Sequence, residues 1–174
     1  LDAAIEQLRE AVGQDHGNVQ IAARLATALH KAERYDEEAD VARRALEAQG
    51  EFAPLHVRLA GALEAQGDVT GGLDAAQRAV SLAPANAEAQ AQAARLYVRH
   101  YRFEDALQAA NKVVELRPAS EIGWQLLAAV YRDVGQHENA EAAEQKVLAI
   151  KGGSAKTYAT LAQSYLAFDR PGEA

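Results

Sequence analysis

Apolar and small residues return along this chain at a constant interval. From Leu25-Ala26 onward the same pair recurs as Leu59-Ala60, Ala93-Ala94, Leu127-Ala128 and Leu161-Ala162. Four positions after the first member of each pair stand Leu29, Leu63, Tyr97, Tyr131 and Tyr165. A second set, Ala11-Val12, Ala45-Leu46, Ala79-Val80, Val113-Val114 and Val147-Leu148, keeps the same interval. No insertion or deletion interrupts it. Within each period the apolar positions follow the helical spacing i, i+3, i+4, i+7 twice, so each period predicts two amphipathic helices. In the fourth, Glu121 to Val134 reads as the first helix, Gly135-Gln136 as a turn and His137 to Ile150 as the second. Gly67-Asp68 marks the same turn two periods earlier, and Gly50, Pro84, Pro118 and Gly152-Gly153 close the second helices. Connections this short make consecutive helices antiparallel neighbours.

Two columns of small residues mark where paired helices should touch. Ala26, Ala60, Ala94, Ala128 and Ala162 form one; Ala4, Gly72, Ala106, Ala140 and Ala174 form the other. Larger side chains there would push apart axes that ordinarily sit about 8–10 Å from one another. Glu38 breaks the second column, with Ala39 beside it. The expectation is a one-residue shift of the turn after Arg34, the alternative being a glutamate that leans outward.

These columns resemble the tetratricopeptide repeat (TPR), whose unit is about 34 residues long. The fourth period carries Trp124, Leu127, Ala128, Tyr131, Gly135, Ala140 and Val147 on the family's pattern, and the third adds Tyr97, Phe103, Ala106 and Pro118. Ala22, His56 and Gln90 replace the tryptophan in its column, where Trp124 is expected to pack between helices. The resemblance covers essentially the whole chain. It implies an all-α, right-handed superhelical solenoid of antiparallel helix pairs. The register predicts a lone second helix over 1–18, complete repeats over 19–52, 53–86, 87–120 and 121–154, and a partial repeat over 155–174. Neither end carries the polar helix that usually seals a solenoid, so Leu161, Tyr165 and Leu166 are expected to be partly uncovered, favouring end-to-end association. With Leu1 at its start, the chain reads as a piece of a longer, bacterial TPR protein.

Composition agrees with helices. Alanine, the best intrinsic helix former, supplies 41 of 174 residues, and only four prolines occur. A net charge of −7 argues against nucleic acid as the partner. Without cysteine there is no disulfide, thiol chemistry or cysteine-held zinc. No apolar run is long enough for membrane insertion, and either the bacterial cytoplasm or the periplasm fits.

The search for chemistry points away from an enzyme. No two of His16, His30, His56, His100 and His137 are spaced i, i+3 or i, i+4, so no local metal site is expected. His56 reads as a partly buried polar residue between helices. The segment Gly152-Gly153-Ser154-Ala155-Lys156-Thr157 lacks the phosphate-loop spacing and reads as a helix stop followed by a Ser154 N-cap. Glu37, Glu38, Asp40 and Glu47 read as a solvated outer face. No catalytic residue, metal or cofactor is expected.

In the family this chain resembles, first helices line a concave groove. Off the packing stripe, those helices present Arg24, Thr27 and Lys31, then Arg58, then Gln92, Arg95 and Arg99, then Gln125 and Arg132. Six of these nine are basic, and only Glu64 and Asp133 are acidic in the same columns. A positive groove on a negative chain favours an acidic or extended protein or peptide segment. The cochaperone subclass that clamps terminal carboxylates uses Lys and Asn in these columns; Ala23 and Thr27 stand there instead, and no groove Asn occurs. The resemblance therefore implies a non-enzymatic interaction scaffold. Two alternatives are the targeting arm of a larger glycosyltransferase or sulfotransferase, and a bacterial envelope assembly factor for exopolysaccharide export or pilus assembly.

Overall fold

A computed structural model describes residues 1–15 and 17–152 together with Tyr158, Ala159, Ala162 and Gln163. The expected Ser154 cap, the apolar positions Leu161, Tyr165 and Leu166, and nearly all of the partial repeat over 155–174 lie outside the described residues. Those described fold into helices and no strands: α1 (Asp2–Gln14), α2 (Val19–Lys31), α3 (Tyr35–Gln49), α4 (Ala53–Gln66), α5 (Val69–Leu82), α6 (Ala87–Arg99), α7 (Phe103–Leu116), α8 (Glu121–Asp133) and α9 (His137–Lys151). They fall into two compact units, one up to Leu96 and one from Tyr97.

Local chemistry sets the helix ends. Asn18 accepts from the amides of Gln20 and Ile21 to start α2, Asp68 from Gly71 to start α5, and Ser120 from Gly123 to start α8. Among the described residues, the four turns from a first to a second helix are built alike. Glu33, Gly67, Tyr101 and Gly135, which share one position of the repeat, have φ of 58°, 85°, 57° and 74°. The following amide then returns to the carbonyl five residues back: Arg34 to Leu29, Asp68 to Leu63, Arg102 to Tyr97 and Gln136 to Tyr131, at 2.8–3.0 Å. Glycine takes this left-handed conformation without strain, whereas Glu33 and Tyr101 adopt it against their Cβ atoms. The turn after Arg34 therefore keeps the common register, and the expected one-residue shift does not occur.

In the first unit, α2 packs on α1, α3 and α4, and α4 packs also on α3 and α5. The short turns make consecutive partners antiparallel. Ile5, Leu25 and Leu29 form one buried cluster; Ala22, Ala26, Ala42, Ala45 and Leu55 form another. Burying one leucine fully contributes about 1.5–3 kcal/mol. Alanine contributes less area but brings helix axes close. Gly72 shows how close: a Cβ there would lie 3.2 Å from the Ala60 carbonyl oxygen and 3.3 Å from Leu96 Cδ2. In the second unit, α8 packs on α7 and α9 around Val113, Leu127, Ala128, Val130, Ala140 and Val147. Ala4, expected at a helix contact, is exposed on α1.

Candidate functional site

In the first unit the predicted groove residues come from α2, α4 and α6. Arg24, Thr27 and Lys31 follow one face of α2 at i, i+3 and i+7. Arg24 and Lys31 are exposed and make no ion pair or hydrogen bond among the described residues. The Thr27 hydroxyl donates to the Ala23 carbonyl at 2.8 Å, so its hydrogen is engaged within its own helix. On α4, Arg58 pairs with Glu88 of α6. Gln92 is buried and donates through Nε2 to Glu64 Oε2 at 2.8 Å, while its Oε1 accepts from Arg95. The run Glu64–Gln92–Arg95 thus joins α4 to α6. Between α2 and α6, Gly61 leaves a shallow floor. A Cβ there would meet His30 Cε1 at 3.7 Å and Gln92 Nε2 at 3.8 Å.

Behind this face lies a buried acid that sequence reasoning placed in solvent. Glu38, on α3, is fully buried and neither leans outward nor is displaced by a shifted turn. Its Oε2 lies 2.8 Å from His30 Nδ1, and its Oε1 has no partner. Burial pushes the Glu38 carboxyl above its ordinary pKa; the His30 hydrogen bond and the positive charges of His30 and Arg58 pull the other way. The His30 ring also meets Tyr35 edge-on, with centroids 5.5 Å apart.

The second unit repeats the device with another cation. Arg132 Nη1 lies 3.0 Å from Oε1 of Glu144, which is 6% exposed and whose Oε2 has no partner. Gln125 donates to Glu121 on its own helix. Arg99 is exposed at the end of α6. The columns held a signal for both buried acids. His30 and Arg132 share one column of the repeat, whose other members are Glu64, Val98 and Leu166. Among the described residues, the glutamates buried on a second helix, Glu38 and Glu144, belong to the repeats with a potential cation in that column.

No family model matches the sequence, and no curated protein matches it. Solved structures do resemble the fold. TTC0263, a thermophilic TPR protein of Thermus thermophilus, superposes with a TM-score of 0.74 at 24% identity, over 88% of this chain and 84% of that one. YrrB, described as a TPR protein with an unusual peptide-binding site, gives 0.76 at 14% identity over 97% and 87%. MamA from Desulfovibrio magneticus RS-1, residue 41 to its end, gives 0.77 at 16% over 88% and 86%. This chain has the TPR fold.

Within that fold the tryptophan column keeps one hydrogen bond despite its substitutions. Trp124 Nε1 donates to the Pro118 carbonyl at 2.9 Å, and Gln90 Nε2 donates to the Pro84 carbonyl at 2.9 Å. Trp124 is partly buried, and this bond ties its indole to the preceding turn. His56, in the same column, is partly buried as expected and reaches Glu51 Oε2 at 3.1 Å. Glu51 in turn receives two bonds from Arg78, at 2.5 and 2.7 Å. Burial holds the His56 pKa below its usual value, against the pull of Glu51. The hydrogen bond from Arg78 holds Glu51 low and raises Arg78. Among the described residues, no helix is long and apolar enough to cross a membrane.

Proposed function

We propose that this TPR chain is a non-enzymatic interaction scaffold whose first helices bind an acidic, extended segment of a partner protein. The observation that carries the reading is the face shared by α2, α4 and α6. Arg24 and Lys31 stand there without partners among the described residues, Arg95 is held by the neutral Gln92, and Gly61 keeps the floor low. Cations with no internal carboxylate are available to an incoming one, and arginine offers it a forked pair of donors. The fold neighbours point the same way, since YrrB is described by its peptide-binding site. In the second unit Arg99 and Gln125 hold the corresponding columns. Arg132 does too, but it is already committed to Glu144.

That commitment decides the variants. Reversing Arg132 would orphan a buried carboxylate and confuse unfolding with lost binding. Reversing Arg24 and Lys31 breaks no internal bond. A fluorescein-labelled peptide of alternating Asp/Glu and Gly should bind the wild type with an affinity that falls as salt rises. Arg24→Glu with Lys31→Glu should weaken it at least tenfold, with an unchanged circular dichroism spectrum. Equal binding by both proteins would remove the first-helix face from the function.

A further inference from the structure

A second feature lies on the other side of α2. Helices α1, α2 and α3 enclose an open cleft of about 560 Å³. Its apolar lining includes the buried Ala22 and Leu25 together with Val12 and Val41, and Gly13 and Ala48 add little bulk to it. The columns of the repeat show why it is there. Where this cleft has Ala22, the later repeats have His56, Gln90 and Trp124. Where it has Ala48, they have Leu82, Leu116 and Ile150; where it has Gly13, the next three positions are Glu47, Ser81 and Glu115. Three columns thin together at one place. A Cβ added to Gly13 would meet nothing within 4 Å. Protein interiors fill such volume, because unfilled walls forfeit their dispersion contacts.

We propose that this cleft is a docking site for an aromatic side chain of a partner protein, an indole above all. Its volume falls in the range of ligand sites. The chain's own occupant of the Ala22 column in the fourth repeat is an indole, Trp124. The floor is apolar, which suits the ring, and the rim is polar, which suits an N–H. Asp40, whose contacts to Arg43 and Arg44 are 3.7 and 3.9 Å long, offers a carboxylate acceptor there, whereas Glu37 is already held by Arg9 and Arg34. Arg44, also on the rim, is 81% exposed and held by Asp40 at only 3.9 Å, so its guanidinium is available to lie over a ring face. The cleft opens to solvent along one side, as a side chain still attached to a partner's backbone requires. This site is independent of the first-helix face.

The test is an amide-resolved NMR titration of the whole chain with N-acetyl-tryptophan amide, and with N-acetyl-leucine amide for comparison. Shifts should gather on Gly13, Ala22, Ala45 and Ala48, and the tryptophan probe should bind at least threefold more tightly. Ala48→Leu, which copies Leu82 into an exposed position, should abolish them while leaving the rest of the spectrum in place. Ala22→Trp, which copies Trp124, should do the same. Shifts spread over the surface, or undiminished in Ala48→Leu, would overturn the site. Cleft resonances that move with protein concentration alone would overturn the partner protein as occupant in favour of a second copy.

Discussion

The two buried glutamates make the most instructive comparison in the molecule. Glu38 in the first unit and Glu144 in the second sit on second helices, where the other complete repeats carry alanine or glycine: Gly72, Ala106 and Ala140 for one column, Ala42, Ala76 and Ala110 for the other. Each meets a group from the same first-helix column, His30 for Glu38 and Arg132 for Glu144. Yet the pairs differ. Glu38 is fully enclosed and faces a histidine, while Glu144 faces an arginine; the two partners are alike in exposure, at 41% and 42% of the side chain. The repeat therefore admits an internal acid only where its own first helix answers it.

The sharpest break would install an acid without its answer. Ala106→Glu places a carboxylate in the Glu38 column opposite Val98, and should cost about 3–5 kcal/mol as an unpaired buried charge. Adding Val98→His, which copies His30, should restore part of that loss. Urea unfolding of the three proteins measures both effects.

Removing an answer is milder. Arg132→Ala leaves Glu144 without its cation and should cost about 2–3 kcal/mol, less than a fully buried pair because water already reaches the guanidinium. The double variant with Glu144→Ala should recover most of the loss, and a double-mutant cycle in chemical denaturation would show it. No recovery would mean that Arg132 acts through packing alone.

The pH dependence separates Glu38 from His56. Burial raises the Glu38 pKa, so its contribution to stability is full below the unfolded carboxyl value and is lost as pH rises through the folded one. His56, held low by burial, has the opposite slope: its contribution is present above the unfolded histidine value of 6.5 and is lost as pH falls through the folded one. Glu38→Gln should flatten the first window and His56→Gln the second. Thermal midpoints measured from mildly acidic to mildly basic pH would show which slope each variant removes.

The smallest expected effect lies in the turns. Glu33→Gly should relieve the left-handed strain that Gly67 and Gly135 avoid. The gain should be about 0.5–1 kcal/mol, tempered by the extra freedom of glycine in the unfolded chain. Calorimetry resolves a shift of that size.

Much of this architecture was legible in the chain. First helices begin at Val19, Ala53, Ala87 and Glu121, and second helices at Tyr35, Val69, Phe103 and His137, each one full period after the last. Apolar spacing and breakers report such features because helix periodicity and turn chemistry are local. The candidate face was legible as a set of columns, but the state of its charges was not. Arg58 and Arg132 read as groove cations for a partner; Glu88 and Glu144, each on another helix, turn out to hold them. Trp124 read as packing between helices, and the spacing gave no sign that its indole also reaches back to Pro118. Glu38 misled most, because a glutamate among Glu37 and Asp40 looks like part of a solvated surface.

The amino-acid sequence by itself determined the all-helical character, the two-helix unit and its period, since each follows from spacing within one or two turns of chain. Only the tertiary structure decided which acids lie inside, which cations are already neutralised and where three small residues leave a cleft. Those outcomes depend on the distance between side chains of different helices. In a close-packed interior, one neighbour's size or charge sets whether a position is buried, paired or open.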